Sequence, residues 1–338
     1  WGWLYNMEHE IRQTMPLMYY NIWDDLPFPH WNENAYESCD LLMAISKQTY
    51  NINKHVCVNK PRIEGVDLTY VPHGINEKEF YPLPATDEGL VKRVSDLVLA
   101  YTLFCETLPE EKAKECLLLL HTDPIDQHGT DLPALVKALC PFPVAFSANK
   151  LDPTQLNYLY NCADVVCSPS SAEGFGLTHM EGMMAGKPTI STVIGGLQDQ
   201  MGFKVDGEEL DIKHFSAEIP SNSTGKLSKH PGAWTYPLWP QLNLQGSPLT
   251  PYIYDSRSSI DQIQAGIKHW YDMPSEQRVV KGLAGREWAI ENGFTTDAMC
   301  KTTSESIDTC FSNFKPRSKY TLINTKKATP AIKRGILL

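Results

Sequence analysis

Ser168-Pro169-Ser170-Ser171-Ala172-Glu173-Gly174-Phe175-Gly176-Leu177-Thr178-His179-Met180-Glu181-Gly182-Met183-Met184-Ala185-Gly186-Lys187-Pro188 is the stretch on which the fold of this chain turns. The apolar run Val165 to Ser168 reads as a strand. A glycine-containing loop follows it and leads into a helix over 177–185, which Gly186-Lys187-Pro188 ends. Gly174 and Gly176 let the backbone approach a ligand closely. The amides of Phe175, Gly176 and Leu177 fall at a helix N-terminus, a place that favours anions and hydroxyl oxygens. Glu173 lies in the loop, where a carboxylate can accept hydrogen bonds from hydroxyl groups. Glu181 lies further along the helix, at about 1.5 Å of rise per residue, and can take a second part of the same ligand.

Outward from this stretch the chain alternates strands and helices. Before it, strands are expected at 17–22, 41–45, 66–71, 116–121 and 143–146. Helices are expected at 3–15, 32–38, 46–53, 96–108, 132–139 and 152–162. After it, a strand is expected at 188–192 and helices at 260–270, 274–292 and 296–314. Such alternation, with short apolar strands, implies parallel sheets covered by helices on both faces. Residues 206–255 are rich in Pro, Gly, Ser and Trp, show no period, and read as a long decorated loop. A doubly wound unit needs several β-α repeats before the strand at 17–22, and only one helix precedes it. Between Tyr81 and Lys92 there is no strand-like run where a second unit should open. The expectation is therefore a chain incomplete at its start and near 85–91, with segments closed up in the numbering.

The 338 residues suffice for two ordinary domains, and 42% apolar with 21% charged residues is the profile of a soluble globular protein. A net charge of −10 repels polyphosphate backbones and counts against non-specific nucleic-acid binding. Nine cysteines form no Cys-x-x-Cys pair, which counts against a zinc knuckle or a thioredoxin-like motif. Most have apolar neighbours and read as buried thiols of a reducing, cytoplasmic setting. No apolar run approaches the ~18 residues of a membrane span. No Asp-x-Asp stands at a strand end, since Asp24 and Asp25 are adjacent, and no metal is expected. Asn222-Ser223-Thr224 fits a glycosylation acceptor, a triplet that also arises by chance.

The central segment resembles the Glu-x7-Glu signature of family 4 retaining glycosyltransferases. Tyr158 to Asp164 before it, Gly195-Gly196-Leu197-Gln198-Asp199-Gln200 after it and Val71-Pro72-His73-Gly74-Ile75 extend the likeness over most of the chain. The wording is also similar to viral and phage-type members. The resemblance implies a GT-B fold, α/β, with two Rossmann-like domains facing across a cleft, the first apparently incomplete. It implies an acceptor-side domain over 1–84, a nucleotide-sugar domain over 85–294, and a helix and tail over 295–338 that return to the first. It implies that Glu173 faces the transferred sugar, with the amides of Phe175, Gly176 and Leu177 holding its hydroxyls and Gly174 also at the donor. Glu181 then binds the ribose, and Gly195 and Gly196 leave room for the diphosphate. Lys92 and Arg93 neutralise that leaving group, and Lys150 and Leu151 contact the base. The family often carries a histidine at the strand end that here reads Ile22-Trp23-Asp24-Asp25, and Asp24 is the substitute. The implied chemistry is metal-independent transfer of a hexose from a UDP- or GDP-sugar to a glycan or other hydroxyl acceptor. No cofactor beyond the donor substrate is implied.

Blander readings stand beside these. His73 is more readily a loop-structuring residue than a reacting one, His121 a satisfied core histidine, and His179 could face either way. Trp234, Tyr236 and Trp239 could stack on a sugar or pack a long loop. The basic tail with Lys326, Lys327, Lys333 and Arg334 is an ordinary solvated surface. Two alternative functions remain: sugar transfer to modified DNA bases, against which the charge counts, and a non-catalytic sugar-nucleotide-binding protein.

Overall fold

The computed structural model describes residues 2–83, 90, 91, 94–125 and 129–317. The first elements are α1 (Gly2–Ile11), β1 (Met18–Asn21), α2 (Glu33–Glu37), β2 (Leu41–Ala44), α3 (Lys47–Val56) and β3 (Leu68–Tyr70). The strands pair in parallel in the order β1-β2-β3, with Met18 beside Leu41 and Leu42 beside Leu68. All four residues of β2 are buried, as in a parallel strand covered on both faces. Ser46 opens α3 by accepting a hydrogen bond from the Thr49 amide.

A second alternation follows: β4 (Leu90–Val91), α4 (Val94–Glu106), α5 (Glu110–Glu115), β5 (Leu118–His121), α6 (Leu132–Leu139) and β6 (Val144–Ser147). It continues with α7 (Pro153–Cys162), β7 (Val166–Ser168), α8 (Leu177–Met184) and β8 (Thr189–Thr192). Then come β9 (Lys204–Val205), β10 (Glu208–Glu209), β11 (Thr235–Leu238), β12 (Gln241–Gln245) and β13 (Ile253–Arg257). The helices α9 (Ile260–Tyr271), α10 (Ser275–Glu291) and α11 (Thr296–Asn313) close the chain. Six parallel strands form one sheet in the order β11-β8-β7-β4-β5-β6. The chain winds outward through β5 and β6 on one side of β4, then returns and winds outward through β7, β8 and β11 on the other. The winding thus reverses between β4 and β7, and open parallel sheets bind ligands at the carboxyl ends of the strands at such a switch point.

The expected strands and helices are present with shifted ends, and two expectations are corrected. Leu90-Val91 lies in the stretch read as strandless, yet it forms β4 at the centre of the sheet. Two residues carry no periodicity, and their pairing to Leu119, Val166 and Cys167 sets their conformation. The second correction concerns 206–255, which is not loop throughout. Thr235-Tyr236-Pro237-Leu238 adds β11 to the sheet at its edge, where a proline is tolerated, and β12 and β13 form an antiparallel hairpin. The missing-segment expectation near 85–91 falls mainly outside the described residues, which stop at 83 and resume at 90.

The last two helices tie the molecule together. Arg286 of α10 donates to the carbonyls of Glu77, Phe80 and Met184. Met299 and Cys310 of α11 pack against Leu41, Met43 and Val71 of the first sheet. The chain passes between the two sheets twice, and the crossings touch. The Ile75 amide donates to the Phe294 carbonyl at 3.0 Å, and the Thr296 amide to the Ile75 carbonyl at 3.2 Å. No helix among the described residues is long and apolar enough to cross a membrane.

α10 lies so close to the turn after α8 that a Cβ on Gly282 would stand 2.1 Å from the Gly186 carbonyl oxygen. In an isolated helix Gly→Ala gains about 1 kcal/mol. Here the obstacle is backbone, and overpacking costs about 1–3 kcal/mol. Gly282→Ala is expected to lower stability in urea unfolding by about 1 kcal/mol net. Unchanged or increased stability would show that the two helices can separate freely.

Candidate functional site

The loop 169–176 leaves the carboxyl end of β7 at the switch point and delivers the chain to α8. Gly176 is the N-cap of α8, at φ 96° and ψ 61°, with no side chain to cap the first turn. The amides that open the helix therefore meet no capping oxygen from that residue, and the positive end of the helix points into the loop. Phe175 is buried and anchors the loop: its ring meets His73 edge-on at 5.4 Å and Phe294 at 6.1 Å. Its carbonyl accepts from the Gln200 side-chain amide at 2.6 Å. Leu177 is 45% exposed. Glu173 is half-buried, and the Ser170 hydroxyl lies 3.4 Å from its Oε2.

Glu181 sits one turn into α8, about 6 Å along the axis from Leu177. The Tyr160 hydroxyl of α7 donates to its Oε2 at 2.6 Å. Burial and the Glu181 charge push the Tyr160 hydroxyl pKa well above its ordinary value, which keeps it a donor. Sequence reasoning missed Tyr160 as a functional partner, although it lies in the 158–164 segment that resembles the family. The helix neighbour His179 turns the other way. It is fully buried, its Nδ1 lies 2.9 Å from the Ser191 hydroxyl, and burial pushes its pKa down to about 3. It is a neutral core imidazole.

The segment after β8 closes the loop from the far side. A Cβ on Gly195, at φ 41°, would lie 2.0 Å from the Glu173 carbonyl oxygen and 3.4 Å from Asp24 Cβ. The Gly196 amide donates to that Glu173 carbonyl at 3.1 Å. Glu173, Gly195 and Asp24 are thus brought together. Asp24 follows the end of β1 and belongs to the first sheet's side. Its pKa is pushed up to about 7, chiefly by burial and also by Asp25 and Glu173. Burial, with Asp255 nearby, pushes Asp25 up to about 6. Gln48 donates to the Asp24 carbonyl, and Gln198 joins Gln48 to the Gly195 carbonyl at 3.0 and 2.9 Å.

A cavity of about 430 Å³ opens beside Asp24 and Asp25, with Ser171 and Ala172 of the loop and Ile194 on its wall. Another, of about 320 Å³, lies at the amino ends of the strands, between Leu118, Val165, Trp270 and Arg278. That is the opposite edge of the sheet from the Glu173 loop.

Lys150, exposed, and Leu151, half-buried, follow the carboxyl end of β6 at the sheet edge. Lys92 and Arg93 lie outside the described residues, directly after β4. His121 Nδ1 lies 3.0 Å from both the Ser147 carbonyl and hydroxyl. The aromatic cluster is packing: buried Trp234 lies 5.1 Å from Trp288, Tyr236 packs on His269, and Trp239 on Phe203. Asn222 is fully buried and bonded to Leu227, Ser228 and the Ser228 carbonyl, which closes it to glycosylation in the folded chain.

The Asp24 carboxyl holds its proton more tightly folded, at about 7, than at its ordinary 3.8. Its contribution to stability therefore falls as pH rises between those values, and the full penalty is present at pH 8. Asp24→Asn is expected to raise the melting temperature by roughly 2–4 °C at pH ~8 and by less than half of that at pH ~4.5. If Asp24→Asn does not raise the melting temperature at pH ~8, the carboxylate is well solvated there.

Residues 145–214 match the family model of group 1 glycosyl transferases. The D-inositol 3-phosphate glycosyltransferase of Corynebacterium urealyticum is 42% identical over 62 residues, which are 17% of this chain and 15% of that protein. The chain thus matches only a small part of that relative's length. Among solved structures, sucrose-phosphate synthase from Thermosynechococcus elongatus superposes with a TM-score of 0.57 at 17% identity, covering 92% of this chain and 71% of that one. Anabaena HepE in complex with UDP-glucose gives 0.56 at 15%, covering 87% and 72%. The chain therefore has the GT-B fold of the glycosyltransferases, and its loop and helix from Glu173 to Glu181 lie within the segment that matches their group 1 family.

Proposed function

We propose that this protein is a retaining glycosyltransferase that moves a hexose from a nucleoside diphosphate sugar to a hydroxyl acceptor. The observation that carries this reading is the convergence at one switch point of Glu173, the uncapped start of α8 and the Tyr160-held Glu181. The sugar lies against Glu173 and the amides of Gly174 to Leu177, which suit hydroxyl oxygens and developing negative charge. Glu181 takes the ribose hydroxyls, with Tyr160 fixing the rotamer of its carboxylate. Gly195 and Gly196 keep the diphosphate path clear, Lys150 and Leu151 meet the base, and Lys92 and Arg93 are the residues assigned to the leaving group. Asp24 faces the acceptor across from Glu173. HepE was solved with UDP-glucose, which supports a UDP-sugar as the first donor to test.

Retention places the acceptor on the face that the diphosphate leaves. The protein's task is then to orient both substrates and to hold charge on the leaving phosphate. Helix amides and basic side chains do this without a metal, and no further cofactor is needed. The proposed setting is cytoplasmic. A purely binding protein would keep the ligand contacts and lack turnover.

Donor binding raises the melting temperature by mass action. UDP-, GDP- and ADP-sugars are compared by thermal shift, and one base is expected to stand out. Glu181→Ala should abolish its shift, and a retained shift would overturn the ribose assignment. Tyr160→Phe removes one hydrogen bond to a charged partner and is expected to weaken donor binding about 3- to 10-fold. Turnover of the preferred donor with a glycan acceptor is expected to survive EDTA; complete loss restored by a divalent cation would refute the metal-independent mechanism.

A further inference from the structure

The cavity beside Asp24 has a wall supplied by the segment between β8 and α9. Glu218, Thr224, Lys226 and Tyr254 come from it, while Asp24 and Asp25 come from the loop after β1. The charges on this wall are uneven. Among the described residues that line it, Asp24, Asp25 and Glu218 are acidic, and Lys226 alone is basic. Asp255 adds a carboxylate close enough to raise the Asp25 pKa, and its charge is already met by Arg257 at 2.6 Å. Glu173 adds another from the donor loop, close enough to act on Asp24. The hydroxyls of Thr224 and Tyr254 offer neutral hydrogen-bonding partners. Through Ser171, Ala172 and Ile194 the cavity adjoins Glu173 and Gly195, and at about 430 Å³ it has the size of a small-ligand site.

We propose that this cavity is the acceptor site, and that it takes an unphosphorylated sugar or amino sugar and discriminates against sugar phosphates. The assignment rests on the glycosyltransferase reading for the word acceptor; the charge preference rests on the wall alone. A phosphate would bring about two negative charges against the Asp25 and Glu218 carboxylates, a partly protonated Asp24 and one ammonium, and like charges repel. Neutral hydroxyls meet carboxylate oxygens as donors, and an ammonium group gains attraction as well. The segment between β8 and α9, which places Glu218 and Lys226 on the wall, sets this preference.

The test uses the full chain and two independent readouts. Thermal shift without donor compares glucose, glucosamine and glucose 6-phosphate at equal concentration. Glucosamine and glucose are expected to bind at least about tenfold more tightly than glucose 6-phosphate. Glu218→Lys, which changes an exposed residue away from the donor loop, is expected to narrow that ratio at least about threefold. Stabilisation by glucose 6-phosphate equal to or greater than that by glucose overturns the proposal, as does an absence of response to all three sugars. Hydrolysis of the donor is measured in parallel. A preserved sugar preference without any donor turnover supports the charge preference of the cavity and sinks the transferase reading by itself.

Discussion

The close approach of two backbone segments governs this molecule. Gly195 and Gly196 press against Glu173, Gly174 and Phe175, where any Cβ would stand 2.0–2.5 Å from backbone atoms. No side chain can be inserted there without moving the loop that carries Glu173. The same segment reaches across to the first sheet. Asp199 accepts from the Lys47 amide at 2.8 Å and from the Tyr70 hydroxyl at 3.2 Å, and its burial pushes its pKa up to about 6. One short stretch, 194–200, thus fixes the Glu173 loop on one side and the start of α3 on the other. The position of Asp24 relative to Glu173 follows from that double grip.

The site's carboxylates are expensive to bury. Asp24, Asp25 and Asp199 all have raised pKa values with desolvation as the leading cause. Groups kept in such surroundings without a full set of cationic partners cluster at functional sites, because the arrangement costs stability and serves binding or proton chemistry instead. Asp199 is structural by its contacts. Asp24 and Asp25 face a cavity, and the same electrostatic penalty there shapes what can enter.

Much of this was legible in the sequence, for identifiable reasons. Strands such as Leu41–Ala44 and Val166–Ser168 are apolar runs bounded by turn residues, and capped helices such as Pro153–Cys162 announce their starts with Asp152 and Gln155. The Glu173 loop was legible because a glycine at positive φ or at a close backbone approach is hard to replace, so the spacing of such glycines carries geometry. β4 was illegible because two residues cannot show a period. β11 was illegible because its Pro237 and polar Thr235 hide an edge strand whose pairing to β8 is long-range. The direction of His179 depended on Ser191, twelve residues on, and the state of Asp24 on its burial and on Glu173, far along the chain. Contacts of that kind belong to the tertiary structure, and no local pattern encodes them.

The two adjacent crossings at Ile75 and Thr295 have a mechanical consequence. A single connecting strand would let one sheet swivel on the other in any direction. Two strands hydrogen-bonded side by side resist torsion, because twisting shears both the Ile75–Phe294 and Thr296–Ile75 bonds, whereas flexing about the line through them leaves both intact. The connection is therefore stiff against twisting. Asp24 on one side and Glu173 on the other therefore keep their lateral register, which the bonds of Asp199 to Lys47 and Tyr70 hold a second time.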